Sequence, residues 1–187
     1  MDAVTIFGED VPCGTYLLHM QVEWDLWVRY GRFQQGQPVF TPAGVYLYVG
    51  SALGQKGASS LARRLLRHAT RVNGPPQAIR AEMVSQFTAV NLGHNLQPPA
   101  VKTLHWHVDY LLEETAVSLT HITLIRSPQQ LEEKMARFLE ETAVCHMIAK
   151  GLGAGDTAVD SHLFHLEKGT DLRPELALFI EALCTAI

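Results

Sequence analysis

The stretch GVYLYVGSALG, residues 44–54, decides how the chain is read. Val45 to Val49 are β-branched, aromatic or aliphatic, and such side chains suit a pleated, half-buried surface. Tyr46 and Tyr48 are two residues apart, so they share one face of an extended chain. Gly50 opens a turn, and Ser51 to Ser60 lead into a helix that carries Arg63, Arg64 and Arg67. A tyrosine therefore closes a strand directly before a glycine turn and a basic helix.

The pattern continues outward on both sides. CGTYLLHMQVEW (13–24) alternates as a strand does, and LWVRYGRF (26–33) reads as a second strand, before the turn chemistry of QQGQPVFTPAG. The helix LARRLLRHATR (61–71) has Leu61, Leu65, Leu66 and Ala69 on one stripe, with Ser59 or Ser60 as its cap. Residues 72–103 carry Pro-Pro pairs near both ends, at 75–76 and 98–99, and read as an insertion with one short helix around 77–87. They are expected to project from the edge of the fold near the Arg64 helix, as a protein contact or a cover for a cleft. A short helix (105–114) and a strand (117–125) follow. SPQQLEEKMARFLEETA (127–143) reads as a helix with Ser127 as cap and Pro128 in its first position. A loop (151–156), a strand (161–166) and a closing helix (173–186) complete the chain. Helices interleave with strands, and the first three strands arrive as a meander. The expected fold class is α+β, a small mixed β-sheet flanked by helices, in a single domain with its core at about 13–166.

Composition narrows the function. The chain has 187 residues, 47% of them hydrophobic and 18% charged, which suits an ordinary water-exposed domain with a core. Its net charge of −4 argues against strong nonspecific binding to nucleic acid, although a local basic patch is compatible with it. No apolar run approaches the ~20 residues of a membrane span. The first ten residues carry no basic segment of the kind that opens a signal peptide. Cys13, Cys145 and Cys184 are odd in number and form no CxxC pair, so free thiols in the cytoplasm are expected. Cys145 and Cys184 are expected in the core, with Cys13 the more exposed.

Two helix projections select candidate polar residues. At ~100° per residue, Glu132 lies roughly 75° from the centre of the stripe made by Leu131, Met135, Phe138, Leu139 and Thr142. Glu133 falls nearly opposite, in solvent. On the earlier helix Arg64 and His68 are neighbours at i,i+4 on the border of the leucine stripe, and Arg67 points away. Read locally, each of these residues also fits a plain role: strand aromatics, a solvated arginine face, a surface carboxylate. Asp109 fits capping or a structural pair. His162 and His165 are taken to share a face and, lacking a third metal ligand, are read as structural.

Five segments occur in a fixed order: GTYLL (14–18), YLYVGSALG (46–54), RLLRH (64–68), WHVDYLL (106–112) and SHLF (161–164). Together they resemble the GIY-YIG nuclease superfamily, and more closely a largely uncharacterised branch of it found alone or fused to DNA-repair glycosylases. The resemblance implies that Tyr16, Tyr48, Arg64 and Glu132 surround a scissile phosphate, with His68 and His107 in the catalytic set. It implies Glu132 as the ligand of a Mg²⁺ or Mn²⁺ ion, since hard cations take few carboxylates plus water. It implies Arg64 as the phosphate fork and the two tyrosines as the groups that position or deprotonate water. The implied function is metal-dependent phosphodiester hydrolysis of nucleic acid, DNA foremost, in repair or processing. The alternative is a noncatalytic nucleic-acid- or protein-binding module that keeps the fold. The sequence departs from the branch in three places. Residues 72–103 are longer, Thr157 and Val159 stand where the branch has cysteines, and Glu132-Glu133 replaces its Glu-Cys pair. The missing cysteines remove the case for metal or redox chemistry in the tail and leave the four core roles intact.

Overall fold

The computed structural model describes residues 3–153 and 159–185. Its centre is a six-stranded mixed sheet. The strands are β1 (Val4–Gly8), β2 (Gly14–Val22), β5 (Gly44–Ala52), β6 (Val117–Arg126), β7 (Cys145–Met147) and β8 (Leu163–Leu166), in the spatial order β1-β6-β2-β5-β8-β7. β1 pairs parallel to β6, and the other pairs are antiparallel. β3 (Leu26–Val28) and β4 (Val39–Thr41) form a separate two-stranded sheet. The helices are α1 (Leu61–His68), α2 (Arg80–Ala89), α3 (His107–Glu113), α4 (Glu132–Glu141) and α5 (Arg173–Thr185). The fold is α+β.

The two-residue period of the central strands sorts the core into two layers. Tyr16, Leu18, Met20, Tyr46 and Tyr48 face Leu61, Leu65 and Leu66 of α1, Met83 and Phe87 of α2, and Leu111 of α3. Leu17, Leu47, Val49 and Ile125 face Met135 and Leu139 of α4 and Leu176 and Ile180 of α5. β2 is paired on both edges and covered on both faces, so all its residues except Gln21 are buried. α1 and α4 thus sit on opposite faces of the same sheet.

Several sequence expectations are corrected. The meander of three strands is broken, because residues 26–41 leave the main sheet as their own hairpin. β1 and β7 are additional short strands. α4 starts at Glu132, not at the Ser-Pro pair. Ser127 is buried, its N–H donates to the Cys13 carbonyl and its Oγ accepts from Gln129 N–H, so a local turn takes the place of the first helical turn. Ser60 occupies the N-cap of α1, but its hydroxyl donates to the Gly57 carbonyl and caps nothing.

The insertion does not project from the fold. Met83, Phe87 and Leu92 of residues 72–103 are buried in the core beside α1. Gln77 donates to the carbonyls of Leu112 and Val117 and accepts from Leu119 N–H, which stitches the segment to β6. Lys102 is buried as well. Cys13 and Cys145 are buried and Cys184 is half-buried, all as free thiols, so Cys13 is less exposed than expected. Thr157, residues 154–156 of the expected loop and Ala186 of the expected closing helix lie outside the described residues. Among the described residues no helix is long and apolar enough to cross a membrane.

Candidate active site

Strand register accounts for the glycine that follows Tyr48 and Val49. Tyr16 of β2 lies opposite Gly50 of β5. A Cβ at position 50 would stand 2.5 Å from Tyr16 Cζ, so glycine makes room for the phenol to lie across β5. Tyr48, two residues earlier, projects from the same face. Both hydroxyl-bearing rings gather at the end of the sheet where β2 begins and β5 ends.

α1 and α4 bring charge to that end from the two faces. A cleft of about 260 Å³ is lined by Tyr16, Tyr48, Gly50, Ser51, Arg64, Trp106, Gln130, Glu132 and Gly153. Arg64 donates from Nη1 to the Ser51 carbonyl at 2.8 Å, and its guanidinium carbon lies 4.4 Å from the centroid of the Trp106 ring. Among the described residues no acceptor meets its buried Nε. Glu132 accepts a short hydrogen bond from Ser51 Oγ and lies 3.1 Å from His162 Nδ1. Burial alone would raise its pKa. The His162 and Ser51 contacts and the Arg64 charge outweigh it and hold the carboxyl below its usual range.

Behind the cleft runs a hydrogen-bonded chain. Tyr16 Oη is 2.9 Å from His68 Nε2, and His68 Nδ1 is 3.0 Å from Asp109 Oδ1. Asp109 also accepts from Arg67 Nη1 at 2.9 Å and from the backbone N–H groups of His105 and Trp106, which caps α3. Lys102 Nζ stands 3.4 Å away. Burial would raise Asp109, yet His68, Lys102 and these donors hold it well below the carboxylate range. Burial lowers His68 against the raising effect of Asp109, so the imidazole is neutral near pH 7. An ionised Asp109 only accepts, so His68 carries its hydrogen on Nδ1 and offers Nε2 as acceptor. Tyr16 O–H then donates to His68 and turns its lone pairs to the cleft. Burial pushes both phenols well above 10.0, with Arg64 opposing less strongly, so neither ionises near neutrality.

The family model described as "Domain of unknown function DUF123" matches residues 15–185, almost the whole of the chain. The chain belongs to the DUF123 family. No curated protein and no solved structure matches it. For this DUF123 chain the site rests on its own geometry.

Of the residues expected in the site, Tyr16, Tyr48, Arg64 and Glu132 converge on the cleft, and His68 stands directly behind Tyr16. His107 does not line the cleft. Its Nδ1 accepts from Gly153 N–H at 2.8 Å and its ring packs on Phe33, so it holds the loop that forms one wall. Glu133 is exposed and pairs with Arg137, as its position on the helix requires. Arg67 does not point away: it reaches Asp109 and stacks on Trp106 at 4.5 Å. His162 and His165 do not act together, since one meets Glu132 and the other packs on Tyr46. Asp109 and His162, which read as structural in the sequence, and Ser51 and Trp106, to which the sequence assigns no role, are also site residues. The Trp-x-x-Asp spacing of 106–109 marks a capping carboxylate and was the available signal for Asp109.

Glu132 is the cleft carboxylate that could ligate a hard divalent ion, beside the Ser51 hydroxyl that donates to it, while His162 Nδ1 is buried against that carboxylate and His162 does not line the cleft. Among the described residues no cluster of three or more His, Cys, Asp or Glu side chains forms, so water and substrate oxygens would complete such a shell.

Proposed function

We propose that this chain is a metal-dependent phosphodiesterase acting on nucleic acid, of the GIY-YIG type, and that DNA is its substrate. The observation that carries the proposal is the meeting of three parts at one cleft. These are the Tyr16–His68–Asp109 chain, the Arg64 fork and the Glu132 carboxylate. Arg64 binds a non-bridging phosphate oxygen, and its unmet Nε gives a donor for a second contact. Tyr16 accepts a hydrogen bond from the attacking water. As the water oxygen bonds to phosphorus and the bond to the leaving oxygen breaks, the water proton passes to Tyr16. The Tyr16 proton moves in the same step to His68 Nε2. Asp109 stabilises the imidazolium that results. Tyr16 thus works as a relay, which removes the need for a standing phenolate that its burial disfavours. Glu132, with Ser51 and His162 beside it, would hold a Mg²⁺ or Mn²⁺ ion, which offsets developing charge on the phosphate and leaving oxygens. The three free thiols favour a reducing, cytoplasmic setting.

The test is divalent-ion-dependent nicking of plasmid, single-stranded and branched DNA by the wild-type chain. Cleavage that disappears in Tyr16→Phe, Arg64→Ala and Glu132→Gln supports the proposal. One observation favours a second reading, a noncatalytic binding module: both Glu132 carboxylate oxygens are already engaged, one by the Ser51 hydroxyl and one by His162. Binding of these substrates with no cleavage of any of them selects it.

A further inference from the structure

The outward side of α1 borders a second groove, of about 440 Å³, lined by Gln55, Lys56, Ser60, Arg63, Asn91 and His94 among others. The chain as a whole has a net charge of −4. This groove is different. Lys56 and Arg63 are exposed, and Asp10, the one carboxylate among the described residues lining it, is paired with Arg126. Its far wall is built firmly. Leu92 and Leu96 are buried, and Asn91 and Asn95 adopt left-handed backbone angles, φ 52° and 49°. Asparagine tolerates that region at a modest cost, and here it turns the chain so that His94 between them is exposed. Arg126 anchors this wall by donating to the Val90 carbonyl.

The groove and the cleft adjoin across α1 without sharing a lining residue. Arg63 and Arg64 are consecutive on α1 and point ~100° apart, one to each. Ser51 lines the cleft and Gln55 lines the groove, and four residues span at most ~14 Å. A nucleic-acid strand advances about 3.4 Å per phosphate along a duplex axis, so the groove lies within about four phosphates of the cleft. We propose that this groove is the track for the substrate's sugar-phosphate backbone next to the scissile phosphate, with Lys56 and Arg63 as its two phosphate contacts. The proposal rests on the cleft being a phosphodiesterase site.

The experiment measures binding apart from cleavage. Anisotropy of a labelled DNA strand of about 20 nucleotides is followed through a salt series, with the Glu132→Gln chain as host. Two contacts on a single strand contribute a salt slope of about 1.4 and about 25-fold in affinity near ~0.1 M salt. Lys56→Glu with Arg63→Glu is expected to lose that much affinity and slope, with the circular dichroism spectrum unchanged. Lys134→Glu with Lys168→Glu makes the same charge change at exposed positions outside the groove and is expected to cost under about threefold. Equal losses in the two doubles, unchanged binding in both, or no binding by the host chain overturns the track. A groove-dependent slope in a chain whose wild type cleaves nothing leaves the track standing and removes the catalytic reading. Cleavage by wild type with the groove double fully competent does the reverse.

Discussion

At the scale of single residues, the site is a balance of buried charges. Asp109 and Lys102 are both buried, and Arg67 closes the cluster from its edge. Asp109→Asn leaves Arg67 without its carboxylate and Lys102 with Glu113 alone, and is expected to cost about 3–5 kcal/mol in urea unfolding. The sign of the pH dependence follows from the same groups. Asp109 and His68 both have lowered pKa values in the folded chain. Each favours its deprotonated form there, so each contributes stability that is full above its unfolded value and is lost as pH falls. Melting temperature is expected to drop on acidification first below about 6.5, where unfolded His68 begins to charge, and again below about 3.8 from Asp109. His19, His107 and His165 are also lowered by burial, so His68→Gln should remove only its share of the first part of that loss. Gly50→Ala drives a Cβ into the Tyr16 ring and is expected to destabilise by about 1–3 kcal/mol and to lower cleavage sharply. Glu132 was legible because a helix projection places a carboxylate at the border of an apolar stripe. Arg67 was not, because the ring it stacks on is Trp106 at the N-cap of α3 and no period within α1 announces it. His162 was missed for the same reason: its partner Glu132 is on a different element.

At the scale of elements, the long central strands and the helices with clear stripes were legible, and segments fixed by distant partners were not. β2, β5 and β6 carry enough apolar residues to be read directly. β1 has five residues and exists through parallel pairing to β6, a partner more than a hundred positions away. The start of α4 was misplaced because Ser127 and Pro128 carry the right chemistry for a helix start, while burial of Ser127 against Cys13 commits it to a turn. Its Pro-Pro pairs make the segment 72–103 read as an insertion that projects from the fold as a protein contact or a cover for the cleft. Its apolar residues, Met83 and Phe87, are core residues. Deleting it is therefore expected to give an unfolded chain by circular dichroism, and Phe87→Ala alone to cost about 3–5 kcal/mol. A folded deletion variant would overturn its place in the core. Lys102, at the end of the same segment, reaches the Asp109 that orients His68, so this element also supports the site.

At the scale of the whole molecule, the sheet is the device that joins the site. α1 and α4 pack on opposite faces, and Arg64 of one and Glu132 of the other line the same cleft at the end where β2 begins and β5 ends. The order of motifs along the chain was legible, but the wall made by Trp106 and Gly153 needed the folded structure. The central claim is that the carboxylate at this meeting point holds the divalent ion for cleavage. It is tested most directly by comparing Glu132→Gln with Glu133→Gln in Mg²⁺- and Mn²⁺-dependent cleavage of DNA. The two substitutions are one residue apart and remove the same charge, one in the cleft and one on the exposed face beside Arg137. The expected result is a loss of about a hundredfold or more for Glu132→Gln, with its fold intact, and near wild-type cleavage for Glu133→Gln. Equal cleavage by the two variants contradicts the claim.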